Sequence, residues 1–126
     1  MVKGTPNGGI NGTLANGLLA HYSFNDGSLA DLSGNGYDLT QVGTVNNTTD
    51  KDGQINQAKE NTTSSYLTSK PKSLTNGTDN AVSMWVYIPD LTHSGTVFSM
   101  WGSDSSFGPP ILIAQKNDSI SVYTGG

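Results

Sequence analysis

Three aspartates lie close together in FNDGSLADLSGNGYDL, residues 24–39, a stretch that is rich in Gly, Asn and Ser. Carboxylate and amide oxygens are the ligands that calcium takes in proteins, usually about six to eight of them. One interpretation is therefore a calcium site formed by Asp26, Asp31, Asn35 and Asp38. No Glu closes the loop at the EF-hand spacing, so the stretch is not that motif.

The same stretch is also typical of a turn between two strands. Side chains such as Asp31, Ser33 and Asn35 bond their own backbone in tight turns, and Gly34 and Gly36 are suited to positive φ. The sequence favours the turn over the calcium site. We therefore expect a protein without a cofactor, with calcium as the one candidate.

Catalytic chemistry has little support in these residues. Retaining glycoside hydrolysis needs two carboxyl groups about 5 Å apart. The single glutamate, Glu60, lies in a polar segment, and no predicted strand carries an acidic pair at alternate positions. No serine lies in a Gly-x-Ser-x-Gly nucleophile elbow, so neither His21 nor His93 has a nucleophile to activate. The sequence predicts a protein that is not an enzyme.

Aromatic side chains are the best candidates for ligand binding. Trp85 and Tyr87 share one face of a predicted strand, and Trp101 stands before a Gly- and Ser-rich loop. Flat rings suit the apolar faces of sugars, and the polar edges of Trp and Tyr form hydrogen bonds. The alternative is that both faces of the strand are buried, in which case Trp85 belongs to the core.

Composition narrows the class of partner. Only 13% of the 126 residues are charged, against about a quarter in typical soluble domains. All six cations are Lys and the formal net charge is −4, which disfavours nucleic acid because phosphate binding needs clustered cations. No apolar run is long enough to span a bilayer, so we expect no membrane span. The chain has no cysteine, which excludes disulfides.

Period-two alternation of apolar residues predicts an all-β, antiparallel protein with at most one helical turn. The alternation is clearest in residues 17–24 and in 81–88, where Val82, Met84, Val86 and Ile88 oppose Trp85 and Tyr87. Further predicted strands lie in residues 37–45, with a bulge or turn at Gly43, and in 65–69, 95–102, 111–115 and 119–125. The last two form a predicted hairpin.

Two segments are predicted to have little regular secondary structure. Residues 1–16 are Gly-rich with few apolar anchors, which predicts a flexible linker or anchor. Residues 46–65 are polar throughout, which predicts a long loop with a short strand near Ile55. A single β-sandwich domain is then expected over residues 17–126.

The chain also resembles a known family. GLLAHYSFNDGSLADLSGNGYDLT, residues 17–40, resembles the opening of laminin-G-like jelly-roll domains of the concanavalin A-like lectin/glucanase superfamily. VSMWVYIPD, residues 82–90, resembles the family's strand ending in Trp-Val-x-Pro-Asp. TVFSMWGSD, residues 96–104, and ILIAQKNDSISVYTGG, residues 111–126, follow in the family's order. The resemblance spans residues 17–126 and implies an antiparallel β-sandwich.

Two departures from the family pattern shape the expectations. The Phe-Asp-Gly segment of the family is replaced by QAKENTTSSYLTS, residues 57–69, which removes an acidic group from any calcium site. The family's later strands have no counterpart in the sequence, so the sandwich is expected to be incomplete at its C-terminus. We expect further chain or another subunit to complete it, and residues 17–126 alone to be unstable as a monomer.

The resemblance implies glycans as the default ligand class. The first functional hypothesis is a non-catalytic recognition or adhesion module of a larger extracellular or virion surface protein. The second is a structural virion protein, such as a phage capsid decoration or fibre component. A fragment of a glycoside hydrolase is a distant third. The fold class alone does not separate them, because one fold hosts many functions.

Overall fold

A computed structural model of the chain describes residues 17–62, 64–69, 81–90, 92, 94–100, 111–116 and 118–124. These residues contain seven β-strands, all paired antiparallel, one 3₁₀ turn at Asn25–Gly27 and no α-helix. The predicted all-β, antiparallel class is confirmed. Within the described ranges the sheets are small and open, and there are three of them. The predicted linker at residues 1–16 lies outside the described residues.

The chain divides into two compact units, Met1–Pro71 and Lys72–Gly126. The strands of the first unit are β1 (Thr40–Val42), β2 (Val45–Thr48), β3 (Ala58–Asn61) and β4 (Tyr66–Thr68). β1 pairs with β4, and β2 pairs with β3. Because the β2–β3 ladder is nested inside the β1–β4 ladder, the two ladders are successive parts of one long hairpin. The strands predicted around residues 37–45 and 65–69 are confirmed.

The long hairpin is interrupted once, beside Gly43. Val42 lies opposite Tyr66 and Val45 lies opposite Asn61. The connection from β1 to β2, residues 43–44, is therefore shorter than the connection from β3 to β4, residues 62–65. Gly43 has a φ of 72°, and a Cβ on it would lie 3.0 Å from the Ser64 carbonyl oxygen. The predicted bulge or turn at Gly43 is confirmed, and it is a position where the other arm approaches the backbone closely.

A side chain at Gly43 is expected to destabilise the hairpin more than one at Gly53. Both glycines have positive φ, but nothing lies within 4 Å of a Cβ built on Gly53. Gly53→Ala should lower the free energy of unfolding by about 1 kcal/mol, from backbone strain alone. Gly43→Ala should lower it by roughly 2–3 kcal/mol, because strain and crowding add. Urea denaturation of both variants measures the difference, and equal losses would contradict the close approach.

The prediction of a long loop over residues 46–65 is wrong in part. Residues 46–48 belong to β2 and residues 58–61 belong to β3, which pair with each other, and Ile55, where a short strand was predicted, lies in the turn between them. Polar side chains cover this ribbon: Asn47 lies opposite Lys59, whose Nζ donates a 2.6 Å hydrogen bond to Asn47 Oδ1. Apart from Val45 and Ala58 the residues of this ribbon are polar, so it has no apolar alternation, which is why the periodicity did not indicate it.

The tip of the long hairpin is organised by Asp50. Its Oδ1 accepts hydrogen bonds from the backbone N–H groups of Asp52, at 2.9 Å, and Gln54, at 2.8 Å. The backbone N–H of Asp50 donates to the Gln54 carbonyl at 3.0 Å. The carboxylate therefore replaces backbone partners that the turn cannot supply.

The predicted strand over residues 17–24 is also wrong, since no ladder forms there in the described part of the chain. Residues 18–24 are all half-buried rather than alternately buried and exposed. The backbone here is bonded mainly by side chains: the Asn35 amide donates to the carbonyls of Leu18 and Leu19, at 2.9 and 3.0 Å. Side-chain partners have taken the place of a neighbouring strand.

The second unit contains a three-stranded sheet in the order β5–β6–β7. Its strands are β5 (Gly95–Met100), β6 (Ile111–Lys116) and β7 (Ser119–Thr124). The register of β6 and β7 leaves two residues between them, of which Asp118 has a φ of 63°. The three predicted strands and the predicted hairpin are therefore confirmed.

Residues 81–88 form no ladder in the described structure, so the strand predicted there is wrong as a hydrogen-bonded element. The predicted alternation of faces nevertheless holds. One set of alternate side chains lines an apolar cavity of about 190 Å³ together with β5, β6 and β7; the lining residues are Met84, Val86, Ile88, Val97, Ile113 and Ile120. Apolar alternation thus indicated which side faces the sheet, and not whether the backbone pairs.

Burial is shallow throughout the described residues. Val45, at 7% exposure, is the one buried apolar residue among them, and no described side chain is fully buried. Little apolar area is removed from water, so hydrophobic stabilisation is small in these residues. Hydrogen-bonded turns must therefore do much of the work of fixing the chain path.

Candidate functional site

The carboxylate of Asp31 accepts four hydrogen bonds. Its Oδ1 accepts from the backbone N–H groups of His21, at 3.0 Å, and Ser33, at 2.9 Å. Its Oδ2 accepts from the Ser33 hydroxyl at 2.7 Å and from the backbone N–H of Tyr37 at 3.0 Å. One side chain therefore closes the loop of residues 31–37 and ties it to the segment before the 3₁₀ turn.

Further bonds complete this loop. The backbone N–H of Leu32 donates to the His21 carbonyl at 2.8 Å, and the backbone N–H of Asp31 donates to Asp38 Oδ1 at 2.8 Å. Gly34 and Gly36 have φ values of 88° and 75°. The predicted positive φ at both glycines is confirmed, and the stretch has the geometry of a turn.

The hydrogen bonds also change the acidity of Asp31. Partial burial raises the pKa of this carboxyl, but the backbone N–H groups of His21, Ser33 and Tyr37 and the Ser33 hydroxyl together outweigh burial. The result is a pKa lowered from 3.8 to about 2. A carboxylate that accepts several N–H bonds favours its charged form in this way.

Removal of this carboxylate is expected to destabilise the first unit. Asp31→Ala leaves backbone donors of His21, Ser33 and Tyr37 without their acceptor, and should lower the free energy of unfolding by about 1–3 kcal/mol. Asp52→Ala is the matched control, because that carboxylate is exposed and forms its ion pair with the exposed Lys51, at 2.7 Å. The control should change stability by less than about 1 kcal/mol.

The effect of Asp31 should depend on pH. A carboxyl whose folded pKa lies below its unfolded value stabilises the fold above the unfolded value and loses that contribution as pH falls. The advantage of the native chain over Asp31→Ala should therefore be complete above pH 3.8 and decline as pH falls towards about 2. Thermal melts across this range test the expectation, and a stability difference that grows on acidification would contradict it.

Each of the four residues proposed for calcium already forms a hydrogen bond within the protein. Both oxygens of Asp31 already accept donors, and the Asn35 amide nitrogen points at carbonyls. Asp26 lies in the 3₁₀ turn with a φ of 51°, and its Oδ1 is 3.3 Å from the Gln57 amide nitrogen. Asp38 Oδ1 bonds the Asp31 backbone. Over the described ranges, no group of three or more His, Cys, Asp or Glu residues is arranged to hold a metal ion.

Calcium is therefore expected to leave the melting temperature unchanged. A ligand bound only to the native state at a hundredfold excess over its Kd adds about 2.7 kcal/mol, which a melt detects readily. The measurement compares melts in EDTA and in millimolar calcium. A rise of several degrees that disappears in Asp31→Ala would establish the calcium interpretation instead.

A polar cleft lies beside this loop. It has a volume of about 550 Å³ and is lined by Gly36, Tyr37, Asp38, Thr40, Thr68 and Ser69. The Tyr37 carbonyl at its wall accepts hydrogen bonds from the hydroxyls of Tyr22, at 2.7 Å, and Ser69, at 2.8 Å. The sequence did not indicate this cleft, because its two walls are 28 residues apart along the chain where Thr40 pairs with Thr68.

Burial also raises the pKa of Tyr22, with the nearby charges of Asp31 and Asp38 acting in the same direction and Ser69 acting against them. The hydroxyl therefore stays protonated and remains a donor to the Tyr37 carbonyl. This bond and that of Ser69 hold one wall of the cleft in place.

Two large aromatic side chains of the second unit are highly exposed. Trp85 is 83% exposed and Tyr87 is 87% exposed. Neither residue lines the cavity that Met84 and Val86 line, and we name the pair the aromatic platform. Within the described residues, Trp85 is not part of a buried core. Trp101, the third candidate, and His93 lie outside the described residues.

None of the protein-family models, curated proteins or solved structures compared with this chain matches it. Across the residues that the structure describes, no helix has the length and apolar character needed to cross a membrane.

Proposed function

We propose that the chain is a non-catalytic recognition module that binds glycans through the aromatic platform of Trp85 and Tyr87. The observation that carries the proposal is the high exposure of two aromatic residues at alternate positions of one segment. The resemblance to laminin-G-like domains supports the same ligand class and a sandwich architecture. The module would belong to a larger protein of an extracellular or virion surface.

Ring exposure supports binding because water solvates large apolar faces poorly. Burying apolar area releases about 25 cal/mol per Å², and rings of this size carry much of the energy of protein interfaces. Alternate residues of an extended segment lie about 7 Å apart, so two rings on one side present a flat surface longer than one ring. Such a surface fits the apolar faces of adjoining sugar units.

The charge of the chain favours neutral glycans over acidic glycans as ligands. The formal net charge of the chain is −4, and its sequence contains no Arg to pair with a sugar carboxylate or sulfate. The polar groups of a neutral glycan can be satisfied by the indole N–H, the phenol O–H and the backbone. Acidic glycans would meet repulsion at low ionic strength.

Alanine substitutions in the platform test the proposal. Trp85→Ala and Tyr87→Ala should each weaken binding of a neutral glycan by roughly tenfold or more, while Tyr87→Phe, which keeps the ring, should lose less. Because both side chains are exposed, the free energy of unfolding should change by less than about 0.5 kcal/mol in either variant. A glycan array on the native chain, followed by calorimetry with the best neutral ligand, provides the measurement.

Tyr66→Ala is the matched control, because Tyr66 is also exposed but lies in β4 of the other unit. This variant should bind like the native chain. Unchanged binding in both platform variants would contradict the platform, and an array without any bound glycan would contradict glycan recognition itself.

A structural role in a virion is the second candidate. The observation that favours it is the exposed apolar surface of β7, where Ile120, Val122 and Tyr123 are all more than half exposed. Surfaces of this kind suit packing against other subunits. A folded chain that binds no glycan but assembles would support this candidate over the first.

A further inference from the structure

Asn35 and Gly36 form an exposed Asn–Gly pair in the loop of residues 31–37. Gly36 has a φ of 75°, and no atom of the described residues beyond its chain neighbours lies within 4 Å of a Cβ built on it. The backbone nitrogen of a glycine reaches the side-chain carbonyl carbon of a preceding asparagine readily, because glycine has no side chain to hinder the approach. The pair is therefore open to deamidation, in which that nitrogen displaces the amide group as ammonia.

The side-chain amide of Asn35 has a structural role. Its nitrogen, Nδ2, donates hydrogen bonds to the carbonyls of Leu18, at 2.9 Å, and Leu19, at 3.0 Å. The described strand pairings do not include residues 17–24, so side chains such as this one attach that segment to the loop. Nδ2 is also the atom that deamidation removes, and the reaction therefore acts on the attachment itself.

We propose that Asn35 deamidates spontaneously in the native protein, and that the loss of Nδ2 releases the segment around Leu18 and Leu19 from the loop. The Gly36 nitrogen gives its proton to a solvent base and forms a bond to Asn35 Cγ. The Cγ–Nδ2 bond breaks, and Nδ2 takes up a proton and leaves as ammonia. Water then opens the cyclic imide, at Cγ to give aspartate or at the backbone carbonyl carbon of residue 35 to give isoaspartate. The net change is a gain of water and a loss of ammonia, without an oxidant or a reductant.

Either product places a carboxylate where the amide was. A carboxylate only accepts hydrogen bonds, so it cannot donate to the carbonyls of Leu18 and Leu19, and their oxygens repel its charge. The carboxylate of Asp31, in the same loop, adds to this repulsion. Isoaspartate also adds a methylene group to the backbone between Ser33 and Tyr37, whose N–H groups both donate to Asp31. The modified loop therefore holds the preceding segment less firmly.

Mass spectrometry of the ageing protein tests the chemical step. The full native chain is incubated at mildly alkaline pH, and its fragments are sequenced by tandem mass spectrometry at intervals. Residue 35 should gain the mass difference between Asn and Asp, and faster as pH rises, because the attacking nitrogen must lose its proton. Asn56 is the internal control, since it is also exposed but is followed by Gln57, whose side chain hinders attack. An Asn35 that keeps its amide for as long as Asn56 does would overturn the proposal.

A pair of variants tests the structural consequence. Asn35→Asp produces one of the two products directly, and Asn56→Asp introduces the same charge at an exposed position in the β2–β3 turn. Amide exchange of His21, whose N–H donates to Asp31 Oδ1, should be faster by roughly tenfold in Asn35→Asp and unchanged in Asn56→Asp. Equal exchange in the two variants would contradict release of the segment.

The native chain keeps the test informative if Asn35→Asp fails to fold. Exchange of the His21 amide is then followed in the ageing native protein, where it should quicken as the fraction deamidated at residue 35 rises. Deamidation at Asn35 without any change in His21 exchange would overturn the release. Trp85 and Tyr87 lie in the other unit, so neither outcome depends on whether the aromatic platform binds glycans.

Discussion

The first unit depends on the carboxylate of Asp31 more than on any buried side chain. Apolar burial is slight in the described residues, so the path of the chain is fixed mainly by polar groups. Asp31 gathers donors from both sides of the loop, and Asp50 does the same at the tip of the long hairpin. A charged acceptor forms stronger hydrogen bonds than a neutral one, which lets single side chains organise whole turns.

This arrangement explains which elements the sequence could predict. The β6–β7 hairpin was predicted because its arms are apolar and β-branched and its turn is polar. The β2–β3 ribbon was missed because its exposed residues show no alternation of polarity. Residues 17–24 and 81–88 alternate clearly but pair with no strand in the described structure. Alternation reports which side of a segment is apolar, whereas pairing depends on a distant partner that local pattern does not contain.

The same reasoning applies to the candidate sites. The pattern placed Trp85 and Tyr87 on one side, but it could not decide whether a second layer covers them, since both sides of a buried strand are apolar. The polar cleft could not be predicted from the sequence, because Thr40 and Thr68 are brought together by the register of β1 and β4. Turn chemistry was more accessible, since Asp31, Ser33 and the two glycines act within a few residues of one another.

The nesting of β2–β3 inside β1–β4 has a kinetic consequence. Thr48 lies opposite Ala58 near the tip, and Thr40 lies opposite Thr68 at the far end, so each rung that forms shortens the loop left for the next. Closing short loops first takes the smallest entropy at each step, which favours zippering from the tip outwards. Hairpins form in about 1–10 μs, and chains dominated by such local contacts fold fast. The irregularity at Gly43 marks the point where that zipper must change register before it can reach β1.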